Sequence, residues 1–360
     1  MPSAIGQTEY GLLSQLLANS GTVRRHLTTL TEQASDGLIA HTYAGLGNGA
    51  SLSLNLRPHI AALQTQQSNI DAAATRLDVT QTAMTQMQSI AATFLANLNK
   101  LDGLNPGELD GIAANARAAL TQTANLLDTK DGNGYVFAGQ DSQNPPVPDP
   151  DAIRSSGFAT QIATAVSGLS ANGAAATAAS TLGIASANTP GTSPFSAYLS
   201  QPPGSVQAPA LQIAGGQIQQ VGLLASANSA VVSAGTSTTG SYMRDLMRAL
   251  ATIGSLTSSQ VGDAGFSTLI GDTRTSLTGA VGAMGADSGA LGITQAGLTT
   301  MQAGLSRTQT VLTAQASGAE NVDMAATLSA LTQTQTQLQA SYQLIASLGA
   351  LSLAKYLPGG

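Results

Sequence analysis

The stretch DTKDGNGYVFAGQD, residues 128–141, holds the residue types of a calcium loop. Aligned on an EF-hand, Thr129 takes position 1, Asp131 position 3, Asn133 position 5, Gly134 position 6, Tyr135 position 7 and Gln140 position 12. The centre fits and the ends do not. Position 1 lacks its Asp, position 12 lacks the bidentate Glu, and the following GQDSQNPPVPDP cannot form the second helix. The same residues read more simply as a helix stop and a tight turn. Lys130 suits the negative end of a helix, and Asp-Gly and Asn-Gly accept positive φ. Tyr135-Val136-Phe137 then begins a strand.

Other constellations carry less. GLGNGA, residues 45–50, fits a dinucleotide fingerprint, but no strand precedes it within a βαβ unit. The three histidines, His26, His41 and His59, include no pair at i, i+4. No phosphate-binding loop and no Gly-x-Ser-x-Gly occurs, and the carboxylates are scattered. The expectation is a protein that is not an enzyme, with no catalytic residues, no metal and no cofactor.

The elements around these residues point to assembly. Apolar-leaning positions step by three and four through Leu13, Leu16, Ser20, Val23, Leu27, Leu30 and Ala34, a coiled-coil seam. A break at Gly45, Gly47 and Gly49 follows. A second helix is predicted from about Ser53 to Leu101, with Pro58 in its first turns and a seam from Ile60 through Leu77 and Met84 to Leu98. A helix of roughly 45 residues is about 65–70 Å long, a rod rather than a globular helix. A third helix starts at Asn105-Pro106, an N-cap followed by proline. Helical pattern returns at Tyr242. Further seams run from Leu291 to Leu312, broken at Gly318, and through Met324, Leu328, Leu331, Gln335, Leu338, Tyr342 and Ile345.

Residues 142–241 differ. Nine of the 13 prolines lie there, and its only charged residues are Asp149, Asp151 and Arg154. Short apolar pieces such as LQIAGGQIQQVGLL alternate with Gly, Ser, Thr and Ala, which predicts strands and irregular turns. The expected fold is mainly α with a β-rich insert: a long antiparallel helical bundle or coiled coil formed by the N- and C-terminal regions, with a variable outer domain between them. The expected domains are 1–40 with 320–360 as terminal coiled-coil helices, 41–141 with 242–319 as a helical rod, and 142–241 as the outer domain.

Composition narrows the partners. Charged residues are 9% of the chain, against about a quarter in an ordinary globular protein. A surface so poor in charge suits packing against copies of itself, because few charges need desolvating. The net charge is −6 with no basic stripe, so no nucleic acid is expected. No run reaches the roughly 18 apolar residues of a spanning helix, so no membrane is expected either. Cysteine is absent, which excludes disulfides. The first residues carry no basic segment before an unbroken apolar run, so export is expected without a cleaved signal peptide.

Three stretches resemble the bacterial flagellin superfamily. QTQQSNIDAAATRLDVTQTAMTQMQSI (64–90) is similar to its first long helix, with Asn69-Ile70-Asp71 and Arg76-Leu77 in place. ENVDMAATLSALTQTQTQLQASYQLIASLGALSLAKYL (320–357) is similar to the shared C-terminal helix, through Leu-Gln-Ala-Ser-Tyr and Ser-Leu-x-x-Tyr-Leu. LLDTKDGNGYVFAGQDSQNPPV (126–147) resembles the turn and strand of the hook-associated protein 3 branch, carried here by Gly134, Tyr135, Val136, Phe137 and Gly139. The resemblance covers roughly 10–140 and 290–357; the family's Ser-Asp-Asp-Pro is replaced by HTYAGLGNGAS.

The resemblance implies an extracellular structural protein of the bacterial flagellum, at the junction of hook and filament and serving motility. It implies type III export in unfolded form and a ring of copies of the chain. The other implied partners are a second hook-associated protein on the hook side, flagellin on the filament side and an export chaperone. The terminal seams are expected to stay unpaired until neighbours cover them. The expected assembly interface is Leu13, Leu16, Leu27 and Leu30 against Leu338, Tyr342, Ile345, Leu348, Leu351 and Tyr356, partly between subunits. Filament flagellin is the alternative, and a secreted calcium-binding adhesin a more distant one.

Overall fold

The computed structural model describes residues 4–101, 106–202, 204–212 and 218–354, with side-chain surroundings for 14–101, 106–202, 204–210 and 218–347. Eight α-helices carry most of this chain: α1 (Ala4–Asp36), α2 (Ala50–Lys100), α3 (Pro106–Leu127), α4 (Gly157–Ser167), α5 (Leu169–Ser186), α6 (Tyr242–Ser255), α7 (Phe266–Glu320) and α8 (Met324–Ala354). Two strands, β1 (Ala210–Gln212) and β2 (Ile218–Gln220), pair antiparallel with Leu211 opposite Gln219. The chain divides into two compact units, residues 1–65 with 305–360, and residues 66–304.

In the 66–304 unit, α2 and α7 run antiparallel. Gln302 Nε2 donates to Asp71 Oδ1, Gln88 Nε2 to Ser288 Oγ at 3.1 Å and Arg274 Nη2 to the Leu98 carbonyl at 2.9 Å. The expected α2 seam forms the core face: Ile70, Leu77, Met84, Met87, Ala91, Phe94 and Leu98 are all buried. Helix α3 starts at Pro106 as the proline predicted; its cap Asn105 lies outside the described residues. Helix α6 packs on α3, α4 and α5 and is buried from Tyr242 to Gly254.

A helix enclosed on all sides must satisfy its polar side chains within the protein. Tyr242 Oη donates to Asp287 Oδ2 at 2.8 Å, and Asp287 also accepts from the Ser229 and Ala230 amides. Asp245 accepts from Thr239 N at 2.8 Å and Thr239 Oγ1 at 2.9 Å. Burial pushes the Asp245 carboxyl above the usual range. Arg244 donates to the Ala185 carbonyl at 2.9 Å and to Asn188 Oδ1 at 2.7 Å.

The insert corrects an expectation. Residues 142–241 are not β-rich: they hold α4, α5 and only the two three-residue strands among the described residues. The Gly, Ser and Thr read as strand-and-turn punctuation are outweighed by alanine, the strongest helix former. Ser156 caps α4 by accepting from Ala159 N, and Gly173, at φ 78°, interrupts the helical backbone so that α5 is two helical segments across a kink. SAVVSAGTSTTG forms no strand because its polar groups are taken by Asp287 and Asp245 instead.

Two smaller corrections concern the long helices. Helix α2 begins at Ala50, so Pro58 lies about two turns inside it and offers no N–H to the Leu54 carbonyl. Gly318 does not break α7, which continues to Glu320. Helix α7 ends two residues past Gly318, and Asp323 Oδ1 accepts from Ala325 N at 3.0 Å and Ala326 N at 3.1 Å and starts α8.

In the other unit, α1 and α8 pack side by side. They leave one crossing in which Leu38 pairs with Asn321, so they run antiparallel. In this structure the terminal helices are paired with each other within the chain, where their seams were expected to be covered by neighbouring copies. Each has a partly apolar stripe, and the pairing at 38 and 321 brings the two stripes together within the chain.

Candidate functional site

Two places were candidates: the 128–141 turn and the terminal helices. In the turn, Asp131 Oδ1 accepts from Asn133 N at 2.8 Å and Gly134 N at 3.0 Å. Its Oδ2 lies 3.0 Å from Arg76 Nη1 of α2. Arg76 Nη2 donates to the Tyr135 carbonyl at 2.8 Å and the Val136 carbonyl at 3.1 Å. The cation serving this loop is a guanidinium, and it takes the carboxylate and the position-7 carbonyl that calcium would need. Gln140 is spent on Gln207, with Nε2 3.2 Å from Oε1. No group of three or more His, Cys, Asp and Glu side chains able to hold a metal forms among the described residues.

The expected strand at Tyr135-Val136-Phe137 is two isolated bridges, Lys130 with Tyr135 and Ala138 with Leu224. Asp131 closes the first within a tight turn, and Gly139 at φ 68° turns the chain directly after the second. A Cβ on Gly139 would lie 2.7 Å from the Gln207 carbonyl oxygen, so only glycine fits. Val136 and Phe137 are fully buried, which makes the motif a packing anchor. Beside it, Asp128 Oδ1 accepts from Val147 N at 2.9 Å, and burial pushes its carboxyl up to about 6.

In the terminal helices, Leu30 is buried, and Leu16, Leu27, Leu338 and Ile345 are half-buried along the facing stripes of α1 and α8. Tyr342 is not part of that stripe and is 47% exposed. The inner line of α8 is Thr327, Leu331, Thr334, Leu338, Ser341 and Ile345. Thr327, Thr334 and Ser341 on this line interrupt its apolar pattern, so Met324, Leu328 and Tyr342 of the neighbouring stripe carry the period that the sequence shows. Leu13, Leu348 and Leu351 lie on α1 and α8, but their side-chain surroundings, and Tyr356 altogether, fall outside the described residues.

The stripe that faces outward is apolar too. Met324, Leu328, Tyr342 and Leu344 of α8 are exposed, as are Leu17 of α1 and Leu52 and Leu54 at the start of α2. All 31 residues of α8 are uncharged. An exposed, uncharged, partly apolar helix is costly to leave in water and cheap to bury against another protein surface. The arrangement can make contacts with a further protein surface.

Residues 275–357, most of α7 and all of α8, match the bacterial flagellin C-terminal helical region. No curated protein matches the chain. The match supports a likeness to the bacterial flagellin superfamily over this C-terminal region.

Proposed function

We propose that this chain is a self-assembling structural subunit of the bacterial flagellum, positioned as a hook-associated protein between hook and filament. The observation that carries the assembly half is the uncharged α8, exposed along Met324, Leu328 and Tyr342, within the region matched to flagellin. The interface is formed by Leu13, Leu16, Leu27, Leu30, Leu338, Tyr342, Ile345, Leu348, Leu351 and Tyr356, partly within the chain and partly between copies. Residues 1–40 with 320–360 act as the assembling domain, 41–141 with 242–319 as the rod and 142–241 as the outer domain. The chain leaves the cell through the flagellar export channel, held by a chaperone before export. It contacts a second hook-associated protein on one side and flagellin on the other.

The junction half rests on the resemblance of 126–147 to the hook-associated protein 3 branch, and on the burial of Val136 and Phe137 that makes this stretch an anchor. Filament flagellin is the second reading, with which the flagellin C-terminal match is equally consistent. Antibody labelling of intact flagella separates them. A band at the distal end of the hook is expected; label along the whole filament would overturn the junction reading and establish the second.

A further inference from the structure

The crossing between the paired terminal helices and the ends of α2 and α7 converges on one residue, Glu320. Its carbonyl accepts from Ile39 N at 2.7 Å, and next to it Val322 N donates to the Gly37 carbonyl at 2.9 Å. Its carboxylate reaches α2, accepting from Ser53 Oγ, from Arg57 Nε at 2.8 Å and from Arg57 Nη2 at 2.6 Å. The Glu320 side chain is 12% exposed, whereas Arg57 is 60% exposed. In a chain with so few charges, a residue tied to α2 by its carboxylate and to the 37–39 segment by its carbonyl is a constraint on their geometry. The crossing is tight besides: a Cβ on Gly49 would lie 2.8 Å from the Ala319 carbonyl oxygen.

We propose that Glu320 is the positioning residue for assembly. Through its carbonyl and its carboxylate it fixes the crossing from which α1 and α8 depart, so the outer stripe of α8 is presented in one orientation. The proposal rests on the self-assembly reading above. Hydrogen bonds from Arg57 and Ser53 hold the Glu320 carboxyl below its usual range, so the clasp stays charged from neutral pH into mild acid. The other ionisable groups at this crossing are Tyr43 and His41, the latter with Nε2 2.7 Å from Asp36 Oδ2, and Asp323, occupied in capping α8.

The test uses the full chain, Glu320→Gln, and the charge reversal Arg57→Glu with Glu320→Arg. Two readouts are taken: amide exchange at Ile39 and Val322, and the protein concentration at which polymer first sediments. In Glu320→Gln, exchange at both amides and the threshold concentration are expected to rise roughly tenfold, as for loss of an ionic hydrogen bond. The reversal is expected to restore both, and unchanged exchange in α6 reports an intact core. Unchanged exchange at Ile39 and Val322, loosened exchange with an unchanged threshold, or a reversal as defective as the single change would each overturn the proposal. A wild-type chain that never sediments would instead overturn the self-assembly reading, and the exchange result would still judge the clasp.

Discussion

The two units differ in what they bury. Residues 66–304 enclose a continuous core, with Leu77, Met84, Leu98, Leu109, Phe137, Phe158, Tyr242, Leu246 and Met284 all close to fully buried. In residues 1–65 with 305–360, the buried apolar side chains among those described are Leu30, Leu56 and Ala316. That unit instead exposes Leu17, Tyr43, Leu52, Leu54, Val311, Met324, Leu328, Tyr342 and Leu344. Apolar burial drives folding in proportion to area, so the first unit is self-sufficient and the second is left with unspent surface. The difference teaches where the proposed assembly has surface to use: at the terminal helices, brought together by the pairing of Leu38 with Asn321.

The strongest way to break this contrast is to delete residues 330–360. Assembly is expected to be abolished while the thermal transition of the 66–304 unit is retained; polymer formed by the truncated chain would dissolve the comparison. Next in size is Arg76→Ala. It leaves the Asp131 carboxylate, 3% exposed, without its partner, and a loss of about 3–5 kcal/mol is expected in denaturant melts. A matched pair sharpens the contrast further. Leu246→Ala in buried α6 should cost about 2–5 kcal/mol in the soluble chain, whereas Leu328→Ala on exposed α8 should cost under about 0.5 kcal/mol there. The ranking is expected to invert in the sedimentation of polymer.

The smallest effect is one of pH, and its sign differs between the units. Burial raises Asp128 to about 6 and raises Asp245, so their native forms favour the proton. They stabilise the 66–304 unit below the unfolded carboxylate range; the Asp128 share is lost as pH rises through about 6, and the Asp245 share as pH rises through its own raised value. Asp128→Asn should flatten this dependence, by roughly 1 kcal/mol after allowance for its partial exposure. Glu320 is lowered, so the clasp is present above the unfolded carboxylate range and is lost as pH falls through its lowered value. Amide exchange across pH 3–7, about the range in which carboxylates titrate, is expected to show the crossing loosening in acid while α6 tightens.

Much of the rod was readable. Heptad spacing placed the buried faces of α1 and α2, because an apolar stripe at helical period packs against a facing helix. Proline placed the start of α3. The insert was misread because alanine, serine and threonine carry no strong period, so propensity and capping at Ser156 decided locally. The turn at Asp131 was read correctly as a turn. Its partner Arg76 lies 55 residues away in the chain, on the face of another helix, and no local pattern announces such a pairing. The same holds for Ser53 and Arg57 with Glu320. The one available signal was rarity, since a charged residue in a chain with 9% charge has a reason to be there.

By itself the sequence determined that this protein is made of long helices, that it is poor in charge, and that its last long helix, free of charged residues, is suited to burial. Those are properties of composition and period, which survive without coordinates. Tertiary structure alone decided which stripe of α8 meets α1 and which faces outward, that a guanidinium fills the apparent calcium loop, and that a single carboxylate ties the crossing. Each of these depends on which distant residues become neighbours, and hydrogen bonds act only over about 3 Å once folding has brought their partners together.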